Sequence, residues 1–311
     1  MRVAHVRRVT GAVVTAVALG CLPAWSGAGA TAAPPAAAAP PDAGAGATTV
    51  RRVVLQGAVN VRDLGGHRTA KGREVRPGQV FRADALGKLT DADVSALAAL
   101  HLRTVVDFRV PLEVRGDGAD RLPAGLTAVS RPVNDRGLYG TVMAVIGSAD
   151  PAEQERVLAG GKAERLMREI YRSFVTDPDT RRQLAATLRD LAERGQSPLL
   201  FHCTSGKDRT GWMSYVLLRA LGVPAGAAER DYLLSNAYRA EADRATREGL
   251  RRAGLMEDPE LLVPLQEVRG EYLDAALDQA ARDYGGFEGY LTEGLGLDTP
   301  VLARLRARLL R

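Results

Sequence analysis

Cysteine is nearly absent from this 311-residue chain, which contains only Cys21 and Cys203. Cys21 lies in an N-terminal segment that we expect to be removed, so the mature protein would carry a single thiol. A single thiol excludes an internal disulfide, and reactivity becomes the leading reason for the presence of Cys203. We therefore expect this thiol to do chemistry.

The chain also lacks an apolar run long enough to span a membrane. Residues 11–25 are apolar and follow a positively charged start that ends with Arg7 and Arg8. Their length, about 15 residues, is short of the ~20 that a membrane-crossing helix needs. Small residues such as 28–30 follow as cleavage options. We predict a signal peptide over residues 1–30, secretion of the protein, and no stable membrane span in the mature form.

Two alternatives for the N-terminus stay open, an uncleaved anchor and envelope attachment through a lipid on Cys21. Residues 31–50 are almost wholly Ala, Pro and Gly. Such a composition cannot bury enough apolar surface to offset its ordering entropy, so it predicts a linker. The remaining residues, 51–311, suffice for one large catalytic domain.

Strong charge and aromatic-basic motifs are missing as well. The formal charge is +5, and residues 1–50 contribute three arginines against one aspartate, which leaves +3 for the body. This balance, with no aromatic-and-basic surface motif, argues against a nucleic-acid partner. Heptads and internal repeats are absent from the sequence.

Short strands and helices alternate in the body, which predicts an α/β fold with a central, mostly parallel sheet flanked by helices. Thr90 and Asp93 form a capping-box pair, and Asp177 before Pro178 suits a helix start. The region 134–150 is predicted as a glycine-containing loop that moves. The predicted strands are 52–56, 59–62, 75–82, 103–108, 127–133 and 199–202. The predicted helices of this part are 90–100, 151–176, 178–194 and 210–221.

From residue 224 onward the sequence predicts helices only, over 227–239, 241–253, 260–268, 271–284 and 299–310. Helices that follow a site often roof it, and we expect a helical lid over about 224–268. This region contains a group of basic residues, namely Arg244, Arg247, Arg251 and Arg252. For this group we favour a solvated charged face over a substrate-binding role.

The most informative motif is Cys203 and Arg209 with five residues between them, after an apolar strand and before a helix. This arrangement surrounds one point with backbone N–H groups and the positive helix end, a ready anion site. Such a setting favours the nucleophilic thiolate, and the planar fork of Arg209 grips two phosphate oxygens. Further phosphate-binding candidates in the loop are Thr204, Ser205, Gly206, Lys207 and Thr210.

Gly206 keeps the loop free of a side chain where the backbone approaches oxygen, and Thr210 or Ser205 would hydrogen-bond the thiolate. The leaving oxygen needs a proton, for which Asp208 is the first candidate and Asp135 and Asp107 are rivals.

A nucleotide-binding loop is excluded, because that pattern requires glycine at Phe201 and Ser or Thr at Asp208. His202 is expected to order the loop through hydrogen bonds.

These residues resemble the cysteine-dependent protein tyrosine and dual-specificity phosphatases, and a secreted bacterial branch in particular. Four further blocks in the same order resemble this branch, namely 60–66, 81–86, 105–109 and 231–236. The resemblance implies Cys203 as nucleophile, Arg209 as phosphate ligand and Asp208 as acid. It also implies that no metal or cofactor is used, and that the lid is mobile.

The predicted activity is therefore hydrolysis of phosphotyrosine, and also of phosphoserine or phosphothreonine, in proteins through a cysteinyl-phosphate. The alternatives are a phosphoinositide or inositol-polyphosphate phosphatase, which Lys207 would favour, and a non-catalytic phosphate- or headgroup-binding module. Outside the loop we expect structural roles, with Asp63 in a turn, Arg62 in a salt bridge, and Asp107 paired with Arg109.

Overall fold

A computed structural model describes residues 51–311 as an α/β structure around one six-stranded sheet in the order β1-β2-β3-β6-β4-β5. Strands β3, β6, β4 and β5 are parallel, whereas β1, β2 and β3 pair antiparallel. The predicted fold class is thus confirmed. The strands are β1 (Arg51–Arg52), β2 (Arg62–Asp63), β3 (Val80–Ala83), β4 (Thr104–Asp107), β5 (Ala128–Ser130) and β6 (Leu199–His202).

Helices cover both faces of this sheet. The α-helices are α1 (Asp91–Ala98), α2 (Pro111–Asp117), α3 (Leu138–Ser148), α4 (Pro151–Leu158), α5 (Lys162–Thr176), α6 (Pro178–Ala192), α7 (Arg209–Ala220), α8 (Ala225–Arg252), α9 (Val263–Gln266), α10 (Gly270–Tyr284), α11 (Phe287–Gly289) and α12 (Thr299–Leu309). A 3₁₀ turn over Pro259–Leu262 precedes α9, and a π turn over Tyr290–Gly294 follows α11.

The apolar run of β6 is buried on both faces because successive side chains point to opposite sides of the sheet. Leu200 joins a smaller core with Leu97 of α1, whereas Leu199 and Phe201 join the larger core beneath α5, α6 and α7. Two layers of helix therefore enclose the central strand. The carboxyl end of β6 is held rigidly as a result.

Two predicted helix starts are confirmed by their caps. The Thr90 hydroxyl accepts from the Asp93 N–H at 3.2 Å, and the Asp93 carboxylate accepts from the Thr90 N–H at 2.9 Å. Asp177 accepts from two backbone N–H groups at the start of α6. Each cap satisfies donors that a helix terminus otherwise leaves unpaired.

The predicted mobile loop over 134–150 is wrong, because α3 occupies most of it. Tyr139, Val142 and Ile146 of this helix are buried at helical spacing. Gly137 precedes the helix with a φ of 78° and serves as its N-cap. The glycines that suggested a loop thus mark a helix start and a helix interior, and apolar burial decides the local structure.

The predicted division at residue 240 is also wrong, since α8 is one 28-residue helix. Arg239 and Asp243 lie in its middle and form a buried ion pair at 2.6 Å. These polar residues make an interior contact and do not end the helix. The predicted helix 260–268 is replaced by the 3₁₀ turn and the short α9.

The charged face predicted on α8 is largely solvated. The side chains of Arg244, Arg251 and Arg252 are more than half exposed and lie near glutamates. Arg247 is the exception, because it donates to Gln266 at 2.6 Å and so ties α8 to α9.

The predicted signal peptide, the predicted linker and Cys21 fall in residues 1–50, outside the described part of the chain. From residue 51 onward, no helix has the length and apolarity needed to cross a bilayer.

Candidate active site

The cysteine loop lies at the carboxyl end of β6, between its two parallel neighbours β3 and β4. Ligand sites in α/β sheets form at such strand ends. Cys203 follows the strand, and α7 begins at Arg209. The sulfur-bearing residue is 2% exposed, yet it lines the floor of the pocket described below. The order of strand, loop and helix is the one predicted.

The loop's carbonyl oxygens are held from behind by buried side chains. Asn60 donates to the carbonyls of Ser205 and Gly206 at 3.1 and 3.0 Å. Arg82 donates to the Gly206 carbonyl at 2.7 Å, and Arg239 to that of Ser205 at 3.3 Å. These contacts fix the backbone in one orientation.

The backbone N–H groups of residues 204–208, by contrast, donate no hydrogen bond to any described residue. Buried backbone donors are normally paired, so a row of unpaired ones beside a helix start marks a place for an anion. Gly206 has a φ of 64°, and a Cβ there would lie 2.5 Å from the carbonyl oxygen of Ala83. Only glycine allows this approach.

Arg209 is aimed across the loop by Glu113 of α2, a residue that the sequence reasoning missed. Its Nη1 donates to Oε2 of Glu113 at 2.6 Å and its Nη2 to Oε1 at 2.5 Å. Glu113 also accepts from the Thr204 hydroxyl at 2.6 Å. Burial acts to raise the pKa of Glu113, but the Arg209 guanidinium outweighs it and holds the pKa below its usual value.

Asp208 lines the pocket and has a partner on each oxygen. Its Oδ1 accepts from the hydroxyl of Tyr171 at 3.0 Å, and its Oδ2 accepts from Lys207 Nζ at 2.8 Å. Lys207 lines the pocket too. The carboxyl group therefore sits beside the loop in a fixed orientation.

The two rival carboxylates have other partners. Asp135 lines the pocket, but its oxygens accept from the N–H groups of Gly137 and Tyr139 at the start of α3. Asp107 is outside the pocket lining and pairs with Arg109 at 2.9 Å, as predicted for an internal pair. Of the three aspartates, Asp208 alone combines a place at the pocket with side-chain donors on both oxygens.

Thr210 is fully buried and lies outside the pocket lining. Its hydroxyl has no hydrogen-bond partner among the described residues, so the predicted bond to Cys203 is absent. Ser205 lines the pocket beside Thr204.

The pocket is deep, about 700 Å³ with its open mouth included. Its floor is the polar loop, and its walls come from α3, α5 and the segment around α9. The wall residues are apolar for the most part and comprise Leu138, Tyr139, Val142, Met167, Ile170, Phe174, Leu262 and Leu265. Gln266 adds one polar side chain to the lining. An anion at the floor would thus have an apolar group above it.

Beneath the loop lies a buried network centred on Asp231. This carboxylate pairs with Arg62 at 2.9 Å and Arg82 at 2.8 Å. Burial raises the pKa of Asp231, but the two guanidinium groups more than offset this and hold it far below its usual value. Burial and the neighbouring Arg62 lower the pKa of Arg82 to about 10. The predicted salt bridge of Arg62 is confirmed.

Asp63 has the structural role that was predicted. Its carboxylate accepts from the N–H groups of Gly65 at 2.8 Å and Gly78 at 2.7 Å, which closes the turn after β2.

Asp107, Asp120 and His202 bring ligand atoms within 4.8 Å of one another. The guanidinium of Arg109 already contacts both carboxylates, at 2.9 and 2.8 Å. His202 Nε2 lies 3.0 Å from Asp120 Oδ2, the ordering contact expected for this histidine. A fixed positive charge among the ligands opposes a cation, so this cluster braces β4 and β6.

A loop with cysteine and arginine around an anion-sized place, at the carboxyl end of a parallel sheet, is the arrangement expected of a phosphatase. The sequence profile of the tyrosine phosphatase family matches residues 53–311. The chain is 30% identical over 277 residues to the triple specificity protein phosphatase PtpB of Mycobacterium tuberculosis, covering 82% of this chain and 98% of that protein.

Two further relatives also have tyrosine-protein phosphatase names. A Cupriavidus necator protein with a provisional tyrosine-protein phosphatase name is 34% identical over 244 residues, covering 78% of this chain and 84% of that protein. A tyrosine-protein phosphatase of Nostoc commune is 28% identical over 242 residues, covering 75% of each chain.

The chain belongs to the tyrosine phosphatase family. It is a cysteine-dependent protein-tyrosine phosphatase, and the family acts through a cysteinyl-phosphate intermediate. The predicted resemblance and the predicted class of activity are confirmed.

Proposed function

We propose that Cys203 is the nucleophile and that Arg209 with the loop N–H groups binds the phosphate. The observation that carries this proposal is the row of loop N–H groups, unpaired within residues 51–311, around a cysteine, with a guanidinium aimed by Glu113 beside it. The sulfur attacks phosphorus, an S–P bond forms, and the P–O bond to the leaving group breaks. The guanidinium and the amides stabilise the charge on the phosphoryl oxygens.

Asp208 is the proposed acid and then base. It gives its proton to the leaving oxygen as the P–O bond breaks. Water then attacks the phosphocysteine, Asp208 takes a proton from that water, and the P–S bond breaks to release phosphate and the thiolate. The position of Asp208 at the pocket, beside the loop, supports this role.

Phosphotyrosine in proteins is the proposed main substrate. An aromatic ring above the phosphate would contact Phe174, Ile170 and Val142 on the walls. Burial of such a ring is worth about 1.5–3 kcal/mol, which favours it over the shorter phosphoserine and phosphothreonine. Lys207 at the pocket is the feature that favours phosphoinositides as second substrates.

A phosphosubstrate panel tests the function directly. Purified protein is assayed on phosphotyrosine, phosphoserine and phosphothreonine peptides, on phosphoinositides and on inositol polyphosphates. Wild type is expected to turn over phosphotyrosine best, Cys203→Ser to abolish turnover, and a chelator to leave it unchanged. Full activity of Cys203→Ser, or loss of activity with the chelator, would contradict the proposed chemistry.

Of the predicted lid over 224–268, α8 is anchored beneath the loop through buried Asp231 and Arg239. We further propose that the segment after α8, over 259–266, is the mobile part of the lid. Leu262 and Leu265 reach the pocket from this segment. Amide hydrogen exchange over 259–266 is expected to be faster than over α10 and to slow when inorganic phosphate is bound. Equal protection in the two regions, unchanged by phosphate, would argue against a lid.

Secretion is proposed from residues 1–30 alone, with their positive start and their apolar run. Mass spectrometry of protein recovered from the culture medium is expected to give an N-terminus between residues 26 and 50. An intact Met1 or a lipid on Cys21 in cell-bound protein would support the alternatives instead.

A further inference from the structure

A row of hydroxyl groups runs from Asp208 into the protein interior. The Tyr171 O–H of α5 donates to Asp208 Oδ1 at 3.0 Å. The hydroxyl of Tyr232, from α8, lies 2.8 Å from that of Tyr171 and 3.3 Å from the carbonyl oxygen of Arg269. Both tyrosines are fully buried. The proposed chemical steps use Asp208 but give these tyrosines no part.

The direction of the hydrogen bonds follows from what each group is able to donate. Burial, and then the nearby Asp208, raise the pKa of Tyr171 well above its usual value, so its phenol keeps its proton. The Tyr171 O–H donates to Oδ1 of Asp208 at 3.0 Å, so its single proton points at that oxygen. With that proton used, Tyr232 is the donor in the 2.8 Å Tyr171–Tyr232 contact, and the Arg269 carbonyl at 3.3 Å shares the same O–H. Tyr232 thus keeps the Tyr171 proton directed at Asp208.

The other oxygen of Asp208 has a partner for which a bound phosphate can compete. Oδ2 accepts from Lys207 Nζ, which lines the pocket and also lies 3.5 Å from the carbonyl oxygen of Glu267. A phosphate dianion in the loop competes for this ammonium. Tyr171 is held in place, because its ring packs on Phe174 and Tyr272 with centroids 5.1 and 5.9 Å away. When substrate binds, Oδ1 therefore stays occupied while Oδ2 becomes available.

We propose that Tyr171, supported by Tyr232, is a positioning residue that occupies Oδ1 of Asp208 and leaves Oδ2 to carry the transferred proton. The inference rests on the proposed function, in which Asp208 is the acid. A proton on Oδ1 would compete with the hydrogen bond from the buried Tyr171 hydroxyl, which is costly, whereas Oδ2 lies beside Lys207 Nζ on the pocket lining and has no such buried partner. Oδ2 is likewise the atom that accepts the proton from water in the second step.

The test compares kcat/KM for phenyl phosphate, a poor leaving group, with that for p-nitrophenyl phosphate, which needs little protonation. Tyr171→Phe keeps the ring packing and is expected to lose about tenfold on phenyl phosphate, as loss of a hydrogen bond to a charged group implies. On p-nitrophenyl phosphate the loss is expected to be small. Tyr232→Phe is expected to show a weaker form of the same pattern.

Tyr272→Phe is the matched control. Tyr272 is a buried member of the same ring cluster, but its hydroxyl donates to the Pro264 carbonyl at 3.0 Å and makes no hydrogen bond to Asp208. Its kinetics on both substrates are expected to equal those of wild type. The inhibition constant of inorganic phosphate, expected to be unchanged in all three variants, reports that the loop is intact.

Asp208→Asn separates failure of this inference from failure of the proposed function. Suppose that Asp208→Asn loses activity mainly on phenyl phosphate. The acid role of Asp208 then stands, and the positioning role of Tyr171 is overturned if Tyr171→Phe loses no activity or loses the same factor on both substrates. If Asp208→Asn affects both substrates alike, the acid assignment falls and the role of Tyr171 falls with it. Should Tyr171→Phe not fold, Tyr232→Phe decides by the same criterion.

Discussion

The Glu113 carboxylate and the Arg209 guanidinium form a two-pronged ion pair, with Nη1–Oε2 at 2.6 Å and Nη2–Oε1 at 2.5 Å. Both side chains are at most 10% exposed. The planar fork of arginine has one favoured approach to a carboxylate, so Glu113 fixes the plane in which Arg209 meets phosphate. The charge of Arg209 is preserved as well, because Glu113 outweighs the burial that opposes it and raises the pKa of Arg209.

We expect Glu113→Gln to lower kcat/KM for an aryl phosphate by about 10- to 100-fold, the equivalent of one charged hydrogen bond. The amide keeps the size of the side chain but offers only one acceptor to the guanidinium. Steady-state kinetics and the inhibition constant of inorganic phosphate measure the effect. Glu153→Gln removes an exposed pair with Arg156 and serves as the control, for which wild-type kinetics are expected. Equal behaviour of the two variants would show that Glu113 does not aim Arg209.

Gly206→Ala is expected to destabilise the protein and to abolish phosphate binding. Gly195 provides a matched control. Its φ of 83° is positive like the 64° of Gly206, but a Cβ added at Gly195 would meet no atom within 4 Å. The added methyl at Gly206 collides with Ala83, and we expect an extra loss of about 1–3 kcal/mol in the free energy of unfolding. Chemical denaturation of the two alanine variants measures this difference, and equal losses would contradict the close approach.

Asp231→Asn is expected to lower the free energy of unfolding by about 3–5 kcal/mol, because it leaves Arg62 and Arg82 as buried charges without a counter-ion. Asp190→Asn, which loses a partly exposed pair with Arg131, is expected to cost less than about 1 kcal/mol.

The folded-state pKa of Asp231 is below its unfolded value, so its contribution is complete above the unfolded pKa of 3.8 and disappears as pH falls further. Thermal unfolding at pH 7 and at pH 3 is the measurement. The difference between the two variants should shrink only in part at pH 3, because the folded-state pKa of Asp231 lies well below that pH.

The pKa of Asp117 is shifted in the opposite direction from that of Asp231. Burial, and then the nearby Glu113, raise its pKa to about 6 from an ordinary 3.8. The folded state therefore binds a proton that the unfolded state has lost, and this carboxyl group subtracts stability progressively between about pH 4 and pH 6. We expect Asp117→Asn to gain stability over wild type at pH 7.5 and to lose that gain at pH 4. Denaturation curves at both pH values provide the check, and a constant difference would refute the assignment.

Local sequence was sufficient for the elements that carry their own signals. Strand β6 and the start of α6 were predicted correctly, because a short apolar run and an Asp-Pro pair have local physical causes. Helix α3 was missed because its glycines resemble loop residues, while its burial depends on helices far away in sequence. The break predicted near Arg239 failed for the same reason.

Two site residues gave little signal in the sequence. Glu113 lies three positions after Val110 and belongs to no motif, so we assigned it no role. Pro111 marks the start of its helix but says nothing about a site. Tyr171 reads as one more core residue of an amphipathic helix. Each contacts the loop through a side chain alone, and such contacts leave no spacing pattern.

The sequence by itself determined the chemical apparatus, a thiol and a guanidinium five residues apart between a strand and a helix, because that geometry is set by bonds within one short segment. Tertiary structure decided how the apparatus is oriented. Glu113 reaches Arg209 across 96 positions and Tyr171 reaches Asp208 across 37, through packing of α2 and α5 against the loop. Contacts over such separations depend on the whole core, so they exist only once the chain has folded.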